Sequence, residues 1–449
     1  MKYFGTDGIR DRVTGPLLDP VFVYRLGRAV GRWVNREPKS ASRHVAIGRD
    51  TRGSGAGIFL SLARGLDTEG VRIFDAGVCP TPAVAVAGRI LDLDMGIVIT
   101  ASHNPATDNG IKLFGPGGCK LRFEEEEAIE AIIDSIPEDL EDVYRTPPVR
   151  YFEARRHYLD YYSSLLPQNA LMGMRIVLDC ANGATHRTSP ELLERLGAQL
   201  ILHGCHPNGA NINKNVGSEH PEVICKAVLE GKADLGIAHD GDGDRVILCD
   251  NKGKVVDGDA VLAILGSGWA RQGKLAGNTV VATVMSNLGL EKCLRQSGVR
   301  VERVGVGDRQ VFYCMRENGY VLGGESSGHF IAMDHLPTGD GLLAALLVLN
   351  EMIRSGRPLT DLSSSFQPFP QIKKNLPVAE KPALDSLDGL QSELSGLENE
   401  LGEAGRILLR YSGTEPKIRL LAEAEDQSLA EATFARLEDM VRRHLVVVA

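Results

Sequence analysis

Two short stretches carry the residue types of phosphoryl-transfer chemistry. Ile99-Thr100-Ala101-Ser102-His103-Asn104-Pro105 closes an apolar run and leaves Ser102 in a polar turn. His239-Asp240-Gly241-Asp242-Gly243-Asp244-Arg245 closes another and leaves three carboxylates in a turn. A hydroxyl nucleophile beside a carboxylate trap for a hard cation is the minimum apparatus for metal-assisted phosphoryl transfer. In a strand, the spacing would set Asp240, Asp242 and Asp244 on one face. In a glycine-interrupted turn they converge on a point, where mutual repulsion demands a cation. A calcium EF-hand loop beginning at Asp240 fails, because Arg245 stands where it needs Gly and Asn251 where it needs Glu. An all-oxygen ligand set suits Mg2+. The plainer reading, a solvated acidic turn, fits poorly with the buried-strand character of the run before it.

Ser102 alone would read as a turn residue or a helix cap. Its neighbours His103 and Asn104 offer donors, and Lys112 follows in Asp108-Asn109-Gly110-Ile111-Lys112. A phosphorylated serine adds about −1.5 to −2 of charge, so with three aspartates the site would approach about −5. One Mg2+ leaves a surplus, for which Lys112 and Arg245 are the obvious cations. A third stretch, Gly323-Gly324-Glu325-Ser326-Ser327-Gly328-His329, lets backbone approach a ligand while Glu325 and Ser327 grip adjacent hydroxyls. The alternative there is a loop beside a core histidine. A fourth, Arg410-Tyr411-Ser412-Gly413-Thr414-Glu415-Pro416, supplies the arginine, hydroxyls and N–H groups of a phosphate cradle. Its alternative is an ordinary hairpin with a surface arginine. Gly268 to Leu275 nearly matches a P-loop but lacks the Ser/Thr after Lys274 and follows a helical pattern. Gly53-Ser54-Gly55-Ala56-Gly57 lacks dinucleotide spacing, so NAD is not expected.

Strand-like runs alternate with helical patterns around these stretches. Val45–Ile47, Val71–Phe74 and Gly96–Ile99 are short and β-branched, with helical segments at Val21–Val34 and Gly57–Leu66 between them. The rhythm restarts at Arg175–Asp179 and recurs at Leu235–Ala238 and Thr279–Val284. Such layers are α/β, with ligands beyond the carboxyl ends of strands, where Ser102 and Asp240 fall. Prolines mark boundaries within 137–148 and 367–382, and a hairpin turn at Asn251–Lys254 marks a weaker one. After Pro382 the texture becomes an acidic helix, a pair of strands (Ile407–Arg410, Ile418–Glu423) and the helix Leu429–Leu445. The expected domains are 1–150 with the serine loop, 151–252 with the metal loop, 253–366 with the sugar loop, and 367–449, an α+β module.

At 449 residues the chain exceeds one ordinary domain, and a formal charge of −9 argues against a general nucleic-acid partner. Its eight cysteines are scattered without C-x-x-C spacing, which speaks for free thiols in a reducing cytoplasm and against a zinc site. The longest apolar helix-like run, Leu342–Leu349, is too short for a bilayer, so no membrane partner is expected. The amino-terminal residues lack the apolar core of a signal peptide.

TASHNP with DNGIK, then DGDGDR, then GE-S-SGH, then R-SGTEP resemble, in order, the four signatures of the α-D-phosphohexomutases. The opening FGTDGIR, Thr283–Leu290, Val306-Gly307-Asp308-Arg309 and Thr338–Gly341 resemble one bacterial branch. Ser326 and Tyr411 stand where that branch often has Gln and Lys. The resemblance implies three consecutive mixed-sheet α/β domains and a carboxyl-terminal α+β domain like the TATA-box-binding protein, around a central cleft. It implies a phosphorylated Ser102 that, with Asp240, Asp242 and Asp244, binds Mg2+. Lys112, His329, His103 and Arg245 would serve catalysis. Glu325, Ser327, Arg10, Asp308, Arg309, Arg410, Ser412, Gly413, Thr414 and Arg419 would hold substrate. The expected reaction interconverts glucosamine 6-phosphate and glucosamine 1-phosphate through a 1,6-bisphosphate, feeding UDP-N-acetylglucosamine and the cell wall. A hexosamine or glucose 1,6-bisphosphate would be the activator, and a homodimer is compatible with the resemblance. A glucose- or mannose-phosphate mutase of the same family is the alternative.

Overall fold

Alternating apolar runs and amphipathic segments resolve into four sheets. The computed structural model of the chain describes residues 1–36, 43–138, 146–412 and 416–448. The first region contains β1 (Ile9–Arg12), α1 (Pro20–Arg36), β2 (His44–Arg49), α2 (Gly55–Thr68), β3 (Arg72–Val78), α3 (Thr81–Ile90), β4 (Met95–Ile99), β5 (Asp108–Phe114), α4 (Phe123–Ser135) and β6 (Val149–Tyr151). Its sheet order is β1-β5-β4-β2-β3-β6, parallel from β4 through β6 and antiparallel across β5. Every residue of β4 is buried, which is why it reads as one unbroken apolar run. Ile99 pairs with Ile111, so the register delivers Lys112 beside the strand end that carries Ser102. The linker expected at 137–148 lies partly outside the described residues, and β6 follows it in the first sheet.

The second region contains α5 (Ala154–Tyr162), β7 (Arg175–Asp179), α6 (Thr188–Arg195), β8 (Gln199–His203), α7 (Pro221–Gly231), β9 (Leu235–His239), β10 (Val246–Asp250) and β11 (Val255–Val256). Its order is β11-β10-β9-β7-β8. The turn at Asn251–Lys254 returns β11 antiparallel onto β10, so this sheet runs past residue 252 to Val256. The third contains α8 (Gly258–Arg271), β12 (Thr279–Thr283), α9 (Leu288–Arg295), β13 (Arg300–Val304), α10 (Asp308–Asn318), β14 (Leu322–Gly324), β15 (Phe330–Ala332), α11 (Gly341–Ser355) and α12 (Leu359–Ser363), with order β13-β12-β14-β15. Asp257 and Asp340 cap α8 and α11 through the N–H groups of Ala260 and Leu343. α11 absorbs the Leu342–Leu349 run as a buried core helix.

The last region contains β16 (Gln371–Pro377), α13 (Asp388–Leu401), β17 (Gly405–Tyr411), β18 (Lys417–Ala424) and α14 (Gln427–His444). Its sheet is antiparallel, in the order β16-β18-β17. Residues 367–382, read as breaking periodicity, contain the edge strand β16; beyond Pro382 lie the expected acidic helix, strand pair and last helix. Pro370 and Pro377 bracket an edge strand, where a missing N–H is tolerated. Leu390, Leu394, Leu397 and Leu401 form the buried stripe of α13.

The first three sheets belong to one compact unit, Met1–Ser286 with Leu294–Ser365. The fourth belongs to another, from Phe366 onward with Asn287–Cys293. Within that second unit the Asn287 side chain donates to the Phe369 carbonyl and accepts from its N–H, at 3.0 and 2.8 Å. The N–H of Leu288 donates to buried Glu423 at 2.6 Å. Among the described residues no helix is long and apolar enough to cross a membrane.

Candidate active site

β4 ends on the serine loop. Ser102 adopts a φ of 51°, a left-handed conformation that is strained for a residue with a Cβ. The surroundings hold it there. Its N–H donates to Thr100 Oγ1 at 2.9 Å, and that hydroxyl donates to Asp50 at 2.6 Å. Arg52, fully buried at the end of β2, pairs with Asp50 at 2.9 Å. The same guanidinium donates to the carbonyls of Ser102 (3.0 Å), Asn104 (2.8 Å) and Asp108 (2.9 Å), and to that of Pro105. Asn213 donates to the Ser102 and Asn104 carbonyls at 2.8 and 2.9 Å. The sequence reading missed Asp50, Arg52 and Asn213; two charges directly after a central strand were the available signal for the first two.

The turn from β9 to β10 brings the acidic trio to that loop. Asp240 accepts the Ser102 hydroxyl at 2.6 Å, and its other oxygen accepts the N–H groups of Gly243 and Arg245 at 3.1 and 3.2 Å. A Cβ on Gly241 would stand 2.5 Å from the Ser102 carbonyl oxygen, so only glycine permits this approach. Lys112, 1% exposed, donates to Asp242 and Asp244 at 2.9 Å each, and Thr81 donates to Asp242 at 2.6 Å. The carboxylates offer one oxygen each within 4.8 Å of one another. Asp242 Oδ1 and Asp244 Oδ1 are buried without a hydrogen-bond partner. Two orphaned acceptors in an all-oxygen set fit a divalent cation.

Charge balance agrees. Burial, then the charges of Asp242 and Asp244, push the Asp240 carboxyl well above its ordinary range. Burial opposes ionisation of Asp242 as well, but Lys112 outweighs it and holds that carboxyl low. For Lys112, burial is outweighed by Asp242, Asp244 and Asp7, and its ammonium is held well above the usual lysine range. A bound cation would relieve the repulsion that raises the Asp240 carboxyl.

His329 lies across a backbone bridge from Arg245. It is 3% exposed, and neither ring nitrogen has a hydrogen-bond partner. Its Nε2 stands 3.7 Å from Asp308 at the start of α10. Glu325 accepts the N–H of Gly307 at 3.2 Å, and burial raises its carboxyl above the ordinary range. Ser327 is exposed in the same loop. Arg10 pairs with Asp7 at 2.8 Å. His103 Nδ1 is 3.4 Å from the Ser102 hydroxyl, and burial and then Arg245 lower its pKa. Arg245 lies 3.9 Å from Asp244 and 4.0 Å from Glu219. The structure gives Arg309 a different setting from the expected substrate contact. Its guanidinium makes a bidentate buried pair with Glu126 of α4 and lies over the Phe123 ring.

In the carboxyl-terminal unit, β17 and β18 place Arg410 directly opposite Arg419. Like charges facing across a ladder repel and favour an anion between them. Arg410 Nε is buried without a partner, and burial and then Arg419 lower its pKa. Ser412 Oγ accepts from Arg419 at 3.3 Å, and the Ser412 carbonyl accepts from Lys381 at 2.7 Å. Gly413 and Thr414 lie outside the described residues.

Four family models match the chain in sequence. They are phosphoglucomutase/phosphomannomutase alpha/beta/alpha domains I (residues 1–139), II (150–253) and III (257–369), and the C-terminal domain (374–440). A phosphoglucosamine mutase of Paracoccus denitrificans is 46% identical over 443 residues, covering 98% of each chain. One from Zymomonas mobilis is 44% identical over 446 residues, covering 98% of this chain and 99% of the relative. A crystal structure of a phosphoglucomutase/phosphomannomutase family protein from Burkholderia thailandensis shares the fold, with a TM-score of 0.79 at 24% identity over 98% of this chain and 96% of that one. The Aspergillus fumigatus N-acetylphosphoglucosamine mutase, solved with GlcNAc-6P and magnesium, matches at TM-score 0.68 and 17% identity over 98% and 96% of the two chains.

Proposed function

The chain belongs to the phosphoglucomutase/phosphomannomutase family, and within it we propose that it interconverts glucosamine 6-phosphate and glucosamine 1-phosphate. The observation that carries this reading is the Ser102 hydroxyl on Asp240, inside the trio that Lys112 clasps. The nearly full-length phosphoglucosamine mutase relatives support the choice of sugar. Asp240, Asp242 and Asp244 would hold Mg2+, which when bound withdraws charge from the phosphoryl oxygens during transfer. A hexosamine or glucose 1,6-bisphosphate would prime the enzyme by phosphorylating Ser102.

The residues divide the work. Phospho-Ser102 gives its phosphoryl group to a free sugar hydroxyl. The P–Oγ bond breaks, a P–O bond to the sugar forms, and His329 takes the hydroxyl proton. Lys112 stays an ammonium under three carboxylates and steadies the oxygen that leaves on Ser102. The bisphosphate then reorients, and Ser102 takes the other phosphoryl group while His329 returns the proton. Glu325 and Ser327 grip sugar hydroxyls. Arg410, Ser412, Gly413, Thr414 and Arg419 anchor the idle phosphate, a role that the opposed arginines support. Arg10, Arg245 and His103 are assigned to the transferring group. Asp308 and Arg309 shape the turn beside Glu325 instead of touching sugar.

Domain limits near 150, 252 and 366 are part of this reading, as is a reducing cytoplasm, which the eight free cysteines fit. The test is a rate comparison on glucosamine, glucose and mannose phosphates, with intact-mass detection of phosphorylated chain. Preference for glucose or mannose would overturn the sugar assignment. Release of inorganic phosphate faster than isomerisation would overturn the mutase.

A further inference from the structure

Lys120 takes no part in the chemistry above, yet it is 8% exposed and fixed from every side. Its residue bridges back to Phe114, its ammonium lies over the Phe114 ring, and its carbonyl accepts the Tyr313 hydroxyl at 3.0 Å. The ammonium stands 2.8 Å from Asp7 Oδ1 and 2.6 Å from Asp308 Oδ2. Asp7 Oδ2 in turn lies 2.9 Å from Lys112 and 2.8 Å from Arg10. Buried charges of alternating sign thus run from the acidic trio through Lys112, Asp7 and Lys120 to Asp308.

The chain stops short of His329. The oxygen that Lys120 holds is the one 3.7 Å from His329 Nε2, too far for a hydrogen bond. A carboxylate beside a buried imidazole ordinarily closes on it and traps a proton there. Among the described residues, the charged groups placed about His329 are Asp308 from the start of α10, Glu325 from its own loop, and Arg245, whose backbone bridges to it from the turn before β10. The Thr338–Asp340 turn packs against the ring at Gly339, and its one carboxyl, Asp340, is taken up by the Tyr158 and Tyr162 hydroxyls. Among these, Asp308 has its far oxygen on the Arg309 N–H at 2.8 Å and its near oxygen held by Lys120.

We propose that Lys120 is a positioning residue for proton exchange at His329: it claims the Asp308 oxygen nearest the imidazole and so leaves His329 free to take and return protons. Asp7 completes the device by holding Lys120 from its other side while sharing Lys112. The proposal rests on the role assigned to His329 above.

The experiment is the pH profile of kcat/KM on glucosamine 6-phosphate, with the full chain and Mg2+. In Lys120→Met, Asp308 closes on His329, and the limb that His329 sets moves up by about one pH unit, a roughly tenfold loss of rate on its acid side. Lys120→Gln, polar enough to safeguard folding but uncharged and one bond too short to hold both carboxylates, moves it the same way. Lys120→Arg leaves it in place. Adding Asp308→Asn to Lys120→Met brings the limb back, whatever the height of the profile. An equal loss at every pH, or a limb that the second substitution fails to restore, reduces Lys120 to packing and overturns the proposal. His329→Gln separates the two levels. A limb that persists in it overturns the role of His329 itself. A limb that vanishes in it yet stays unmoved in Lys120→Met overturns only the role of Lys120.

Discussion

Ser102 Oγ and Asp240 Oδ2 stand 2.6 Å apart, joined by a hydrogen bond that spans 138 residues of sequence. The bond sets the nucleophile against a carboxylate whose other oxygen is fixed by the N–H groups of Gly243 and Arg245. Ser102→Ala removes the hydroxyl oxygen placed there to carry the phosphoryl group. We expect mutase activity to fall by at least about 1,000-fold. Intact-mass spectra after incubation with glucose 1,6-bisphosphate should show phosphorylated parent and unmodified variant. Substantial turnover by the variant would refute the mechanism.

Chelation should separate activity from folding. Lys112, Thr81 and backbone N–H groups already hold the trio, so the turn keeps its shape without a cation. EDTA is expected to abolish turnover, Mg2+ to restore it, and the far-ultraviolet circular dichroism to stay constant throughout. Undiminished activity after exhaustive chelation would count against a metal site at Asp240, Asp242 and Asp244.

Arg52 is a rigid fork with one buried acid and several carbonyls to satisfy, a geometry an ammonium cannot reproduce. Arg52→Met strands the Asp50 charge and should lower stability by about 3–5 kcal/mol, read as a shift in the urea midpoint. Arg52→Lys should fold better yet recover little activity, because the carbonyls of Ser102 and Asn104 lose one of their two shared donors and keep only Asn213. Parental kcat in Arg52→Lys would contradict this account of the loop.

Asp340 provides a pH-dependent stability term. It is fully buried, and burial raises its carboxyl to about 6 despite donors from Leu343 N–H and from Tyr158 and Tyr162 at 2.8 and 2.7 Å. The fold favours the protonated form, so the contribution is complete below about pH 4 and is lost as pH rises through about 6. Its size is roughly 3 kcal/mol. Asp340→Asn stays neutral and can still cap α11. Its stability relative to the parent should climb between about pH 4 and 6 and then level off. A pH-independent difference in urea denaturation would exclude this carboxyl as the source.

Where chemistry is written in adjacent residues, the sequence disclosed it. Ser102, the acidic trio and Lys112 sit in contiguous motifs at strand ends, and the folded chain brings them into one pocket. The supports were opaque for a physical reason. Arg52 reaches carbonyls some 50 residues onward, and Lys120 meets Asp7 across 113 positions, so neither has a local pattern. Arg309 sits in a glycine-flanked turn that suggests a ligand, whereas its partner Glu126 lies 183 residues away. β16 was hidden by prolines that mark an edge as readily as a boundary.

The second compact unit takes Asn287–Cys293 out of the middle of the chain. Its inheritance is therefore not that of a linear cassette. Severing the polypeptide after Ser365 deprives Glu423 of the Leu288 amide and Phe369 of both Asn287 bonds. Recombination between relatives preserves this module only when the segment at 287–293 travels with the tail. A chimaera joined at 366 alone carries a mismatched seam far from its own junction.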